Sequence, residues 1–305
     1  MTRTAPVRNW ATDFDVMDPE YLRDPFSIWD QLRTTCPIAH TERRKSSWMP
    51  LRYQDVTAIA HDIEHFSSLK VAVIPGDEDE DANANFDGPN LEYGLPPISA
   101  DPPLHTWTRR LLLPWFSHKR VEGYVSSTRD LCRELLDGFA DAGHADAAAD
   151  YAQQIPVRVI ARILGVSTDM ADTFTEWVRD VLEFADDQER RQKGVEGLLY
   201  YFVEQLAYRK EHPGDDLLSE LLHTEVEGKP VDDGIVLGMA ALVLIAGVDT
   251  TWSGIGSSLW HLASHAEDRK RLVAEPELMA TAVEELLRAY APVTMAREVT
   301  QDITY

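Results

Sequence analysis

Hydrophobic positions recur along most of this chain at helical spacing, with brief interruptions. Between Tyr21 and Arg33 the apolar residues Phe26, Ile28, Trp29 and Leu32 fall at helical intervals, and Pro37 ends the run. Segments at Ile38 to Thr41 and Ser47 to Leu51 read as a hairpin, and a short helix follows from Tyr53 to His61. Periodicity then disappears over residues 67–103, where Gly76 to Gly88 holds six acids and no base. Such a run predicts a solvated, lid-like loop. Helices resume at Leu104: Pro114 breaks the first, and Lys119 to Gly138 carries the next. Pro156 and Gly165 bracket a third, with proline inside the start and glycine past the end. Ser167 or Thr168 caps a helix bearing Phe174, Trp177, Val178, Val181 and Leu182, and another runs from Val195 to Lys210. After a turn at Val226 to Val231 comes a long apolar helix, then a capping-box pattern at Ser264-His-Ala-Glu267 and a last helix from Pro276 to about Tyr290. No repeat or linker divides the chain. The pattern therefore predicts one domain, 1–305, mainly α with small β regions.

The apolar helix ends in an irregularity. Gly234 to Val248 carries no charge and is too short to span a bilayer, which takes about 20 apolar residues. It reads as a helix through the core. Directly after it stand Asp249, Thr250 and Thr251, with Gly247 just before. A buried carboxylate is costly unless partnered, so Asp249 needs a partner, a cavity or water. Thr250 and Thr251 can hydrogen-bond back to the carbonyls of Ala246 and Gly247 and bend the helix. A thinned, kinked core helix lets a flat ligand approach and offers it a proton route. The alternative is a packing glycine followed by a chance polar cluster.

Composition sets the surroundings. With 305 residues and 44% hydrophobic content the chain buries a large core. A net charge of -23 argues against nucleic acid, which needs a basic surface. Met1 to Trp10 contains no apolar core, so neither a signal peptide nor a membrane anchor is expected and a cytoplasmic location follows. Cys36 and Cys132 do not make a disulfide framework and read as reduced thiols.

Three further constellations carry candidate chemistry. Glu285 and Arg288 are three apart on the last helix and share a face, which for a lone pair is an ordinary surface ion pair. In Asp101-Pro-Pro-Leu-His-Thr-Trp-Thr-Arg109 the prolines set an extended lead-in, and His105 and Arg109 stand i, i+4, able to grip one anion or simply to face solvent. His61-Asp-Ile-Glu64-His65 matches the inverted zinc-peptidase pattern, with two histidines at helical spacing and a base between them.

The ordered set D-P-P-x-H-x-x-x-R, then A-G-x-D-T-T on a core helix, then E-x-x-R closely resembles soluble bacterial cytochromes P-450, the haem-thiolate monooxygenases, from residue 11 onward. The resemblance implies that fold, incomplete at the C-terminus, and a reaction inserting one oxygen atom of O2 into a small, apolar organic substrate. It implies that Asp249 and Thr250 deliver protons to dioxygen. It places Ala246 and Gly247 over the haem b face, and makes His105, Arg109 and Arg297 partners of the haem propionates. Glu285 and Arg288 match the pair that supports the haem-binding core. Substrate is expected against Leu242, Ile245 and the strand-like Val293, Thr294 and Met295. The family's axial cysteine sits in a Gly-rich loop that these residues lack, so it is expected beyond residue 305, and no metal ligand is expected within the chain. Leu104 stands where the family commonly has glutamate. Electrons are expected from a ferredoxin or flavodoxin, for which Arg109, Arg110, Lys119, Arg120, Arg129 and Arg133 offer a local basic dock or merely a solvated face. Neither nucleic acid nor membrane is an expected partner. The competing readings are a fragment or family-derived helical binding protein without catalysis, and a zinc peptidase using His61, Glu64 and His65.

Overall fold

The structure is a computed structural model that describes residues 5–43, 46–69, 89, 91–184 and 187–304. In chain order its elements begin with α1 (Pro19–Arg23), α2 (Pro25–Thr35), β1 (Ile38–Thr41), β2 (Ser47–Pro50), α3 (Tyr53–His61) and β3 (Phe66–Ser67). Then come α4 (Leu104–Leu112), α5 (His118–Ala140), a π-helical segment Ala147–Ala152, α6 (Gln154–Leu164), α7 (Ala171–Leu182), α8 (Gln188–Glu211) and α9 (Leu217–Leu222). The chain continues through β4 (Glu225–Val226), β5 (Lys229–Pro230), α10 (Asp233–Ser264), α11 (Ala266–Ala274), α12 (Met279–Ala289) and β6 (Glu298–Val299). This bears out a mainly α fold with small β regions. The acidic run Gly76 to Gly88, and most of the lid-like loop assigned to 67–103, lie outside the described residues.

Contacts divide the chain into two compact units, Met1–Ala82 with Ala296–Tyr305, and Asn83–Met295. In the first, Phe14, Tyr21, Ile28, Leu32 and Ala39 form a small core. The expected single helix from Tyr21 to Arg33 is two helices, because Asp24 leaves the helical region and caps α2 by accepting from Ser27 N, with Pro25 at the first position. β1 and β2 pair antiparallel from Ile38↔Pro50 to Thr41↔Ser47, as the hairpin reading requires. β3 pairs antiparallel with β6, Phe66 opposite Val299.

The second unit is built around α10. Asp232 caps it by accepting from Gly234 N at 2.8 Å, and residues 235–244 are all buried. Although long and apolar enough to cross a membrane, α10 is the core helix of this unit, wrapped by α6, α7, α8 and α9. Val236, Met239, Ala240, Ala241 and Leu244 meet Phe174, Val178, Leu198, Phe202, Leu217 and Leu221 in one cluster. Gly165 ends α6 in the left-handed region, φ +73°, where a side chain is strained. The capping box at Ser264 does not form. Ser264 is still helical in α10, and His265, with non-helical torsions (φ -115°, ψ 83°) and no side-chain cap bond, takes the position before α11.

Candidate functional site

α10 runs unbroken through the acid and the hydroxyls. Thr250 Oγ1 donates to Ala246 O at 2.8 Å, the back-bond expected from its spacing, whereas Thr251 is exposed and makes no matching bond to Gly247. Asp249 is half-buried. Desolvation holds its carboxyl above the ordinary carboxylate range, and the negative charge of Glu183 adds to this, while a hydrogen bond with Trp252 opposes both. Glu183 follows the last turn of α7, where Arg179 Nε donates to its Oε2 at 2.7 Å. Asp249 therefore stands where a proton is held at higher pH than on a free carboxyl. The open side of Gly247 faces α6: a Cβ there would come within 2.5 Å of Ile160 Cδ1, so glycine lets the two helices approach. Leu242 is buried and Ile245 partly buried on the same helix.

The other expected site residues are placed on separate elements. His105 is partly buried and Arg109 exposed on α4, whose Leu104, Trp107 and Leu112 pack into the core of the unit. Neither polar side chain has a hydrogen-bond or ion-pair partner among the described residues. Pro103, before α4, already has helical torsions (φ -85°, ψ -16°) instead of the extended lead-in the prolines suggested. Arg288 donates from Nε and Nη2 to the two oxygens of Glu285, both at 2.7 Å, on the exposed face of α12. This paired fork lowers the Glu285 carboxyl below its usual range and raises the guanidinium. Val293, Thr294 and Met295 form no strand; the strand falls later, at β6. Arg297, in the first unit, donates to Ala296 O at 2.7 Å.

The zinc pattern loses its geometry. α3 stops at His61, whose Nδ1 lies 2.8 Å from Thr57 O, and His65 Nδ1 lies 2.9 Å from both oxygens of Asp62. The two histidines therefore do not share a helix face, and among the described residues no group of three His, Cys, Asp or Glu can hold a metal. A cavity of about 260 Å³ lined by Asp215, Asp216, Ser219, Glu220 and His223 contains none of the expected site residues. Sequence reasoning missed Glu183, Arg179 and Ile160, which come from other helices and leave no local signal. Trp252, three residues past Asp249, could have been read from helical spacing.

No family model matches the chain. It is 31% identical over 297 residues to the vitamin D(3) 25-hydroxylase of Pseudonocardia autotrophica, covering 95% of this chain and 71% of that protein. Over 294 residues it is 27% identical to the polyketide biosynthesis cytochrome P-450 PksS of Bacillus subtilis, covering 94% and 72%. The solved structure of CYP109Q5 from Chondromyces apiculatus superposes with a TM-score of 0.81 at 29% identity, over 97% of this chain and 73% of that one. This chain belongs to the bacterial cytochrome P-450 family. Bacterial cytochromes P-450 are monooxygenases of organic substrates that use O2 and haem b with a cysteine axial ligand. The donors His105 and Arg109, without partners among the described residues, suit anionic haem propionates, and the Ala246 to Thr250 segment suits the oxygen side of the group. The two cysteines do not suit its axial position. Cys36 Sγ donates to Ile38 O at 3.3 Å beyond α2, and Cys132 is partly buried on α5.

Proposed function

We propose that Asp249 and Thr250 form the proton-delivery pair of this cytochrome P-450. The observation that carries this reading is a half-buried carboxyl with raised proton affinity, one residue from a hydroxyl anchored on Ala246 O. Asp249 takes up a proton from solvent and holds it, and Thr250 passes it inward or fixes a water through its second lone pair. Haem b, when bound, supplies the electron and oxygen chemistry. Ala246 and Gly247 would pass over its face, His105 and Arg109 would hold its propionates, and Glu285 with Arg288 would support the surrounding structure. Leu242, Ile245, Val293, Thr294 and Met295 line the place of a small apolar substrate. Residues 1–305 belong to a single cytochrome P-450 domain, and the protein works in the cytoplasm.

Haem titration followed by its absorbance tests the propionate roles. A charge-assisted hydrogen bond contributes about 1.5–3 kcal/mol, so His105→Ala and Arg109→Ala should each weaken binding about tenfold or more. Unchanged affinity in either variant removes that residue from the role.

Electrons come from a ferredoxin or flavodoxin docked on the basic surface of α4 and α5. Arg110, Lys119, Arg120, Arg129 and Arg133 are all exposed there, with Arg120 over the Trp115 ring at 4.1 Å. Such rim charges act mainly on the association rate. Charge reversal at Arg110 and Lys119 should slow reduction about tenfold or more at low salt and flatten its salt dependence. Identical rates and slopes would remove the dock.

A further inference from the structure

Outside the site just described, the end of α10 carries a hydrogen-bonded chain to which that reading gives no role. Tyr290, just past α12, has its hydroxyl 2.8 Å from Nδ1 of His261. His261 Nε2 lies 3.0 Å from Oδ2 of Asp268 on α11. Because a carboxylate only accepts, Nε2 carries the hydrogen, and in a neutral ring Nδ1 is then the acceptor for the Tyr290 proton. His265 stacks on His261 with centroids 4.2 Å apart, and its Nδ1 is occupied by His261 O at 3.0 Å. Both ring nitrogens of His261 are thus committed, one to take a proton and the other to a negative charge.

An aromatic neighbour completes the arrangement. Trp260 is 59% exposed and meets the Tyr290 ring edge-on, with centroids 6.0 Å apart and planes at 85°. Eight residues earlier on the same helix is buried Trp252, the partner of Asp249. The helical rise separates the two tryptophans by about 12 Å along the axis, a distance electrons cross by tunnelling through protein.

We propose that Tyr290 is a redox-active tyrosine, with His261 as its proton acceptor, Asp268 as the charge that steadies the imidazolium and Trp260 as its electron contact with the surface. The co-reactant is a one-electron oxidant of the class formed in dioxygen chemistry. Trp260 gives one electron to that oxidant and regains it from Tyr290. As Tyr290 loses the electron, its O–H bond breaks and the proton moves to Nδ1 of His261. The products are a reduced oxidant, a neutral phenoxyl radical and an imidazolium paired with the Asp268 carboxylate, so the charge of the triad rises by one. A one-electron reductant of the thiol or ascorbate class restores the phenol as the proton returns. A hydrogen-bonded chain of this kind couples its members, so losing one weakens the others. The chemistry belongs to these residues and stands or falls independently of the assignment of Asp249 and Thr250.

Flash oxidation of the chain with photogenerated tris(bipyridine)ruthenium(III) supplies a defined one-electron oxidant, and freeze-quench electron paramagnetic resonance reads the radical. The chain has 10 tyrosines, so assignment rests on comparison of variants. The expected signal is a neutral tyrosyl radical that is lost in Tyr290→Phe and formed severalfold more slowly in Trp260→Phe. In His261→Gln its yield falls severalfold and the slowing seen in D2O disappears. Asp268→Asn gives a smaller loss of yield. Circular dichroism checks each variant, and if His261→Gln is misfolded, Tyr290→Phe and Asp268→Asn decide. A radical as strong in Tyr290→Phe as in the parent, or a yield indifferent to the loss of His261 or Asp268, overturns the proposal.

Discussion

Thr250→Ala in the haem-loaded enzyme should leave electron consumption running while product formed per electron falls by about tenfold, close to 1.4 kcal/mol of lost discrimination, with hydrogen peroxide as the difference. The hydroxyl on Ala246 O is the only part of Thr250 that a proton can use, and alanine removes it without disturbing a helical position. Asp249→Asn should act earlier, at proton uptake, and lower kcat by about 10²-fold, the low end for a positioned acid or base. A second effect of that substitution has the opposite sign. The Asp249 carboxyl is raised above its unfolded value, first by burial and then by Glu183. Its contribution to stability is therefore complete below about pH 3.9, the unfolded value, and is lost as pH rises through the folded value. Asparagine does not titrate. The variant should match the parent's pH trend except across that window, and be the more stable of the two at neutral pH. Urea unfolding at a series of pH values reads the difference directly. A gap between the proteins that stays constant from acid to neutral pH would show that Asp249 is not a strained, protonatable acid. A fall in activity together with a gain in stability is the pattern of a site that gives up stability for function.

Local chemistry was legible in the chain, and tertiary chemistry was not. The Thr250 to Ala246 bond, the bounds of α3 and the glycine end of α6 depend on residues within one or two turns, and all were readable from spacing. Where two local signals competed, the weaker one was misread. Ser264 has a glutamate three residues on, yet α10 is held helical through it, and a residue with helical torsions cannot cap the next helix. Asp24-Pro25 lay inside an apolar period that looked continuous, but the aspartate caps and the proline starts, which divides the run. His61 and His65 satisfied the zinc spacing only if α3 continued past His61, where it ends. In the site itself the acid, the hydroxyl and the glycine were visible as a set. What faces them was not: Glu183 and its partner Arg179 come from α7, and Ile160 from α6 fills the space that Gly247 leaves. No periodicity encodes which helix packs on which. On its α6 side the glycine serves close packing, while the acid beside it keeps its raised proton affinity.

Arg209→Ala should cost about 3–5 kcal/mol of stability, the usual penalty for removing one partner of a buried ion pair, and leave the α10 site unchanged. Arg209 is 5% exposed near the end of α8 and joins three helices through one guanidinium. Its Nε donates to Asp216 Oδ1 at 3.0 Å, its Nη1 to Gln205 Oε1 at 2.8 Å, and its Nη2 to the carbonyl of Gly165. Asp216 is committed as well, since it caps α9 by accepting from Ser219 N at 2.9 Å. Gly165 must be glycine here both for its positive φ and because a Cβ would fall 2.3 Å from that of Asp216. Truncation of Arg209 therefore leaves a carboxylate with little solvent and a carbonyl without its donor, and it loosens the ends of α6, α8 and α9 together. Lysine should recover only part of the loss, because one ammonium cannot reproduce a fork that binds three acceptors at once. Asp216→Asn keeps the α9 cap but removes the charge, so in its background the cost of Arg209→Ala should shrink by more than about 1 kcal/mol, the signature of direct coupling. Since the pair is buried, the loss should persist at high salt, where an exposed pair would be screened. Urea unfolding of the four proteins of this cycle supplies every term. A loss below about 1 kcal/mol for Arg209→Ala would place this arginine among ordinary surface pairs and leave the junction of α6, α8 and α9 to its apolar contacts alone.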